Sequence, residues 1–278
     1  MKPLASVKVG TAADWHFWLA AGVFSVIVAG ELAGQAIGGA AGSSAWGWLA
    51  LLGAGGWVVG LVWRERVGMG RAWSCCVWVM GMSLLAMRLA LRNGFLFGRI
   101  EFAGDQPLFF AQVPVSVPLL WWLVVGGGFL VVEGLWGEWR AGVSTLTALV
   151  AAQMALMILP VVGNVRGYWR WPAVTTDPRP VGGAFLGVPL KALAAWFILS
   201  LVLAFGLVIM GDNWSSAEAR TRRQAWAPAA VLLALTVVCF GANLFGGLWL
   251  PATFSAANAV LFGAVVVWYL RDGGEWQP

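Results

Sequence analysis

The chain has 278 residues, of which 60% are hydrophobic and only 10% charged, and its mean hydropathy is +0.82. Soluble domains carry roughly a quarter charged residues, so this composition excludes an ordinary soluble fold and points to a polytopic membrane protein. The formal net charge of +5 is spread over loops without forming a basic face, which argues against a nucleic-acid partner and fits anionic lipid headgroups.

Apolar runs long enough to cross some 30 Å of hydrocarbon as helices recur along the whole chain. They are expected near residues 15–36, 45–63, 72–91, 113–132, 143–162, 188–210, 227–248 and 251–270, giving an all-α membrane bundle of about eight spans over residues 1–278 as one domain. The first run follows Lys2 and Lys8 but has no convincing small-residue cleavage site, so it is read as a retained span. Tryptophans such as Trp15, Trp18, Trp46, Trp48, Trp121, Trp122 and Trp268 are expected at headgroup depth, where an amphipathic ring is favoured. Proline stands near the start of several runs (Pro114, Pro189, Pro228, Pro251), where its missing N–H costs little; Pro118, placed deeper, is expected to kink its helix. The "GGG" at 126–128 would thin the fourth span for a flat ligand or another backbone.

Cys75, Cys76 and Cys239 all fall inside apolar runs and read as buried free thiols. The chain has one histidine, His16, and no Cys or His pair at ligand spacing, so neither a metal nor another cofactor is expected. Lys and Arg concentrate in the loops on the N-terminal side (Lys2, Lys8, Arg64, Arg66, Arg71, Arg140, Arg220, Arg222, Arg223, Arg271) over those opposite (Arg92, Arg99, Arg166, Arg170, Arg179). This bias predicts that both termini are cytoplasmic in the inner (cytoplasmic) membrane of a bacterial or archaeal cell.

On that topology Glu31, Arg88, Lys191 and Asn243, the polar residues that interrupt the spans, all fall in the outer third. Ionisable groups inside a membrane usually face a cavity or a partner, so a shared pocket near the outer interface is expected; snorkelling to the headgroups is the alternative for each of them singly. Two outer loops lie over it, 92–110 and 168–180. In "YWRW", Trp169 and Trp171 alternate with Arg170, which in an extended segment turns both indoles one way and the arginine the other. The indoles, with Tyr168, would stack along an apolar chain, while Arg166 and Arg170 would meet phosphate headgroups. The segments "FAQVPVSVPLLW" (110–121) and "FLGVPLKALAAW" (185–196) share F-x-x-V-P-x6-W in register, suggesting parallel helix-pair units, although common entry chemistry would give the same pattern.

These loops resemble the membrane carotenoid biosynthesis family, whose members include hydratases of acyclic carotenoids such as bisanhydrobacterioruberin. The likeness rests on "GFLFGRIEF" followed by "VPVSVPLLWW", and on "LPVVGNVRGYWRW" followed by "GGAFLGVPLKALAAW", within about residues 87–200. The glycine, proline and tryptophan scaffold is kept at Gly98, Pro160, Trp169, Trp171, Gly187, Pro189 and Trp196. The family's polar positions are largely replaced: Leu159 and Ala155 stand where it has aspartates, Ala192 where it has asparagine, and Ile100 and Phe102 where it has tyrosines. Fold inheritance is therefore better supported than inherited catalysis.

The resemblance implies hydration of a terminal alkene, which needs a strong proton donor, cation-stabilising aromatic faces and a water. The candidate donors are Glu101, Asp105 and Glu31, with Arg88 as a potential partner that would keep Glu31 ionised. Candidate substrate contacts are Arg88, Phe97, Gly98, Trp121, Tyr168, Trp169, Trp171, Lys191 and Trp196. The implied partners are a lipid-soluble carotenoid or other isoprenoid, membrane lipids and other carotenoid-pathway enzymes. The alternative is a noncatalytic member that binds carotenoid or lipid or scaffolds those enzymes. A transporter fits less well, because Gln153 is the one strongly polar group read at mid-depth.

Overall fold

The structure, a computed structural model, describes residues 12–38, 44–104, 106–136, 140–172, 184–210 and 222–271. Eight helical stretches are long and apolar enough to span a membrane, beginning at Trp15, Ala45, Met69, Ser116, Gly142, Leu190, Trp226 and Trp249. They agree with the runs expected from hydropathy to within a few residues. The helices are α1 (Ala12–Gly38), α2 (Ala45–Val67), α3 (Met69–Asn93), α4 (Ser116–Trp121), α5 (Gly127–Trp136), α6 (Arg140–Pro160), α7 (Leu190–Met210), α8 (Arg222–Phe245) and α9 (Trp249–Arg271). One π-helical turn, Trp122–Gly126, joins α4 to α5 into a single span, and another, Val161–Val165, extends α6.

Pro118 does not kink its helix as expected. It lies in the first turn of α4, where no intrahelical partner is lost. The irregularity comes next, at the π turn, whose loosened Gly126 carbonyl accepts a hydrogen bond from Trp63 Nε1 at 3.2 Å. Trp122 Nε1 returns the contact to Gly56 O at 3.0 Å, tying α2 to the fourth span twice. The glycine run serves this helix packing rather than a ligand: Cβ atoms at Gly127 and Gly128 would stand against Val59, Leu232 and Val150.

Tryptophan burial separates two populations that hydropathy had merged. Trp15, Trp18 and Trp46 are exposed, as interfacial anchors should be. Trp48, Trp121 and Trp122 are buried in the core, so their positions near run ends reflect packing and not headgroup depth.

All the short strands gather at one end of the bundle: β1 (Glu101–Phe102), β2 (Phe109–Phe110), β3 (Val113–Pro114), β4 (Trp169–Arg170), β5 (Ala184–Phe185) and β6 (Val188–Pro189). Here the F-x-x-V-P repeat becomes geometry. β2 and β3 pair around Ala111–Gln112, and β5 and β6 pair around Leu186–Gly187. Both central residues have positive φ in each turn (50° and 67°; 48° and 77°), as a type I′ hairpin requires.

Each hairpin is also gripped from the helix before it. Arg88 Nη1 donates to Ala111 O at 3.0 Å across 23 residues, and Asn164 Nδ2 donates to Leu186 O across 22. Ala111 and Leu186 are equivalent turn positions. The tryptophans that close the two motifs, Trp121 and Trp196, are fully buried and stack on each other with centroids 4.1 Å apart. The residues that close the two motifs therefore meet in the core. The antiparallel β1–β4 pair joins the two halves at the same end.

Candidate active site: two clefts beside a two-strand ribbon

Pro160 and the π turn that follows it decide where the second loop goes. The wide turn directs Arg166 N to Val161 O and Tyr168 N to Val162 O, at 2.9 and 2.7 Å, and Gly167, at φ 64°, reverses the chain between them. The following residues then form β4, opposite β1, with Glu101 facing Arg170 and Phe102 facing Trp169. Buried Gln106 fastens this ribbon to the bundle, donating to Tyr168 O at 3.1 Å while accepting from Ser116 Oγ at 3.0 Å. Nothing in the sequence pattern had marked Gln106.

The alternation expected in "WRW" is present. Trp169 and Trp171 are buried and Arg170 is exposed. Trp169 packs 6.5 Å from Trp171 and 6.4 Å from Trp196, and Phe102 meets it edge-on at 5.8 Å. Phe97 is fully buried and stands edge-on to Trp121 at 6.4 Å; Gly98, at φ 79°, turns the chain directly after it. Phe97, Trp121, Trp169, Trp171 and Trp196 thus pack into one buried aromatic cage.

Two clefts open at this end of the bundle. A slot of about 390 Å³ is lined by Gly163, Asn164, Gly167, Trp169, Arg170, Trp171 and Gly187, which combines two indoles and glycine backbone with one amide and one guanidinium. A second cleft of about 410 Å³ is lined by Leu91, Arg99, Ile100, Glu101, Phe102, Phe109 and Gln112. The Phe102–Trp169 pair is their shared wall.

The polar groups expected to converge are divided among separate arrangements. Glu31 does not pair with Arg88. Its partner is Arg166, at 3.2 Å, with both side chains almost fully buried. Arg166 is therefore not at the headgroups as expected: its guanidinium lies 4.8 Å over the Trp48 ring and 5.9 Å from that of Tyr168. Desolvation explains the choice, since a buried carboxylate is tolerable only beside an equally buried cation. Arg88 instead serves the first hairpin, Lys191 is exposed at the start of α7, and Asn243 donates to Met157 O at 3.2 Å inside the bundle. Glu101 is exposed and lines the second cleft; Asp105 lies outside the described residues. Ala155, Leu159, Ala192 and Ile100 are buried apolar contacts of the core. A second buried ion pair missed by the sequence reading, Arg66 with Glu133, links α2 to α5.

A family model described as carotenoid biosynthesis protein matches residues 46–262, well over half the chain and more than the middle segment that suggested it. The protein belongs to the carotenoid biosynthesis family. No curated protein and no solved structure matches the chain. Within that family this chain is a multi-pass membrane protein whose hairpin end carries a tryptophan slot and a cleft with a carboxylate.

Proposed function

We propose that this protein hydrates the end group of an acyclic carotenoid or related isoprenoid, in pockets at the outer interface of the cytoplasmic membrane. The observation that carries the reading is the slot lined by Trp169 and Trp171 together with Gly163, Gly167 and Gly187, aromatic surface and glycine backbone that suit a rigid polyene, with Asn164 and Arg170 as its polar members. The chain's end group would reach round the β1–β4 ribbon, whose Phe102–Trp169 pair separates the two clefts, into the neighbouring one. There Glu101 is the carboxyl among the lining residues.

In this scheme the Glu101 carboxyl gives its proton to the terminal alkene carbon, leaving a tertiary cation against the faces of Phe102 and Phe109. Water adds to the cation and returns a proton to the carboxylate. The net change is one water added across one double bond, giving a tertiary alcohol. Glu31 takes no part as donor, because it is buried in its pair with Arg166 and lines neither cleft.

A second reading, a noncatalytic carotenoid-binding or scaffolding member working beside other pathway enzymes, is favoured by the buried apolar residues Ala155, Leu159 and Ala192 at the family's polar positions. Expression in a host that accumulates an acyclic carotene separates the two. A hydroxylated, more polar pigment lost in Glu101→Gln supports hydration; unchanged pigment copurifying with folded protein supports binding alone, and colourless protein with unchanged pigment overturns both.

A further inference from the structure

The two hairpins differ at the one position where the backbone geometry most favours glycine. The second central residue is Gly187 at φ 77° in one and Gln112 at φ 67° in the other. A side chain in the left-handed region carries a strain that glycine avoids. The equivalent turn has glycine at this position, so Gln112 carries a strain that its counterpart avoids. Strain kept in this way, beside a cleft, points to a use for the side chain.

Its surroundings define that use. Arg88 Nη1 hydrogen-bonds Gln112 Oε1 as well as Ala111 O. Arginine has donors and no acceptor, so the amide group turned toward it must be the oxygen. What Gln112 then offers the cleft it lines is its NH2, a donor, next to the Arg99 guanidinium, another set of donors. Around them stand the Glu101 carboxyl and the apolar Leu91, Ile100, Phe102 and Phe109. Donors and one acceptor beside apolar and aromatic side chains fit a ligand whose apolar chain ends in a hydroxyl, which both accepts and donates.

We infer that the Glu101 cleft recognises the hydroxyl of a tertiary-alcohol isoprenoid end group, with Gln112 as the residue that contacts the oxygen and Arg88 as the positioning residue that orients Gln112. The inference rests on the hydration reading, in which that alcohol is the product. It also accounts for a difference between the two turns: Gly187 makes room for the Asn164 side chain that grips its own turn, whereas Gln112 offers its counterpart's cleft an amide.

The test is equilibrium binding by the purified full chain in detergent micelles, followed by quenching of tryptophan emission, with an acyclic carotene and its tertiary alcohol as the two probes. The wild type is expected to favour the alcohol by about tenfold, the value of one well-made hydrogen bond. Gln112→Gly relaxes the turn, so it is expected to keep its thermal stability while losing the preference; Gln112→Asn, which retains an amide and tolerates positive φ, keeps part of it. Carotene binding without any alcohol preference in the wild type overturns the inference and leaves the hydration reading standing, as does a preference that survives in Gln112→Gly. A preference abolished by adding phosphatidylglycerol assigns the cleft to lipid phosphate and overturns it too. Binding of neither probe overturns both the inference and the reading beneath it.

Discussion

Arg166 shows how far a residue's role depends on what surrounds it. From sequence it is one cation in an aromatic loop, and headgroup contact is the natural expectation for such a residue. The π turn at Val161–Val165 and Gly167 redirect it inward, where Glu31 neutralises it and Trp48 lies under its guanidinium. Neither helix α1 nor the loop carries a pattern that couples positions 31 and 166, so this pairing was not legible. Its energetics are. Arg166→Met strips a buried carboxylate of its partner and is expected to destabilise the protein by about 3–5 kcal/mol, whereas Glu31→Gln combined with Arg166→Met recovers most of that loss. Resistance to heat or denaturant in detergent, followed by tryptophan emission, measures both; equal losses in the single and double variants would show that the pair does not exist.

The hairpins are the elements in which sequence and structure correspond most closely. F-x-x-V-P-x6-W was read as a weak repeat because four matching residues are few. What the letters could not carry was the side-chain grip on each turn, supplied by Arg88 in one and Asn164 in the other, residues unlike in chemistry and one place out of register with each other. The geometry makes opposite predictions for two similar changes. At Gly187 a Cβ would stand 2.7 Å from Asn164 Oδ1 on a backbone at φ 77°, so Gly187→Ala is expected to cost at least about 1–2 kcal/mol. Ala111 already carries that penalty at φ 50°, so Ala111→Gly should be neutral or stabilising by roughly 0.5 kcal/mol. Thermal unfolding of the two variants side by side tests the assignment, and a Gly187→Ala protein as stable as wild type would contradict the turn geometry. The tryptophan cage was half legible: alternation gave the facing of Trp169 and Trp171, while the stacking of Trp121 on Trp196 depends on two spans meeting, which local pattern does not encode.

At the scale of the whole molecule the spans were almost wholly legible, because hydrocarbon imposes one rule on every crossing segment. The two hairpins add a second constraint. One follows the third span and the other the fifth, and an even number of crossings between them returns the chain to the same side. Both hairpins therefore emerge on one side, and the ribbon β1–β4 joins them there. Which side that is follows from charge: Arg64, Arg66 and Arg71 crowd the α2–α3 turn at the opposite end, and positively charged loops stay in the cytoplasm. The slot and cleft would then open toward the outer leaflet. Single cysteines decide it once Cys75, Cys76 and Cys239, all within the spans, are replaced by alanine. A membrane-impermeant maleimide added to intact cells is expected to label Gly104→Cys in the hairpin end and to reach Met69→Cys, exposed at the α2–α3 turn, only after permeabilisation. The reverse pattern would put the two clefts at the cytoplasmic face, where the substrate would enter from the inner leaflet and the charge bias would have failed as a guide.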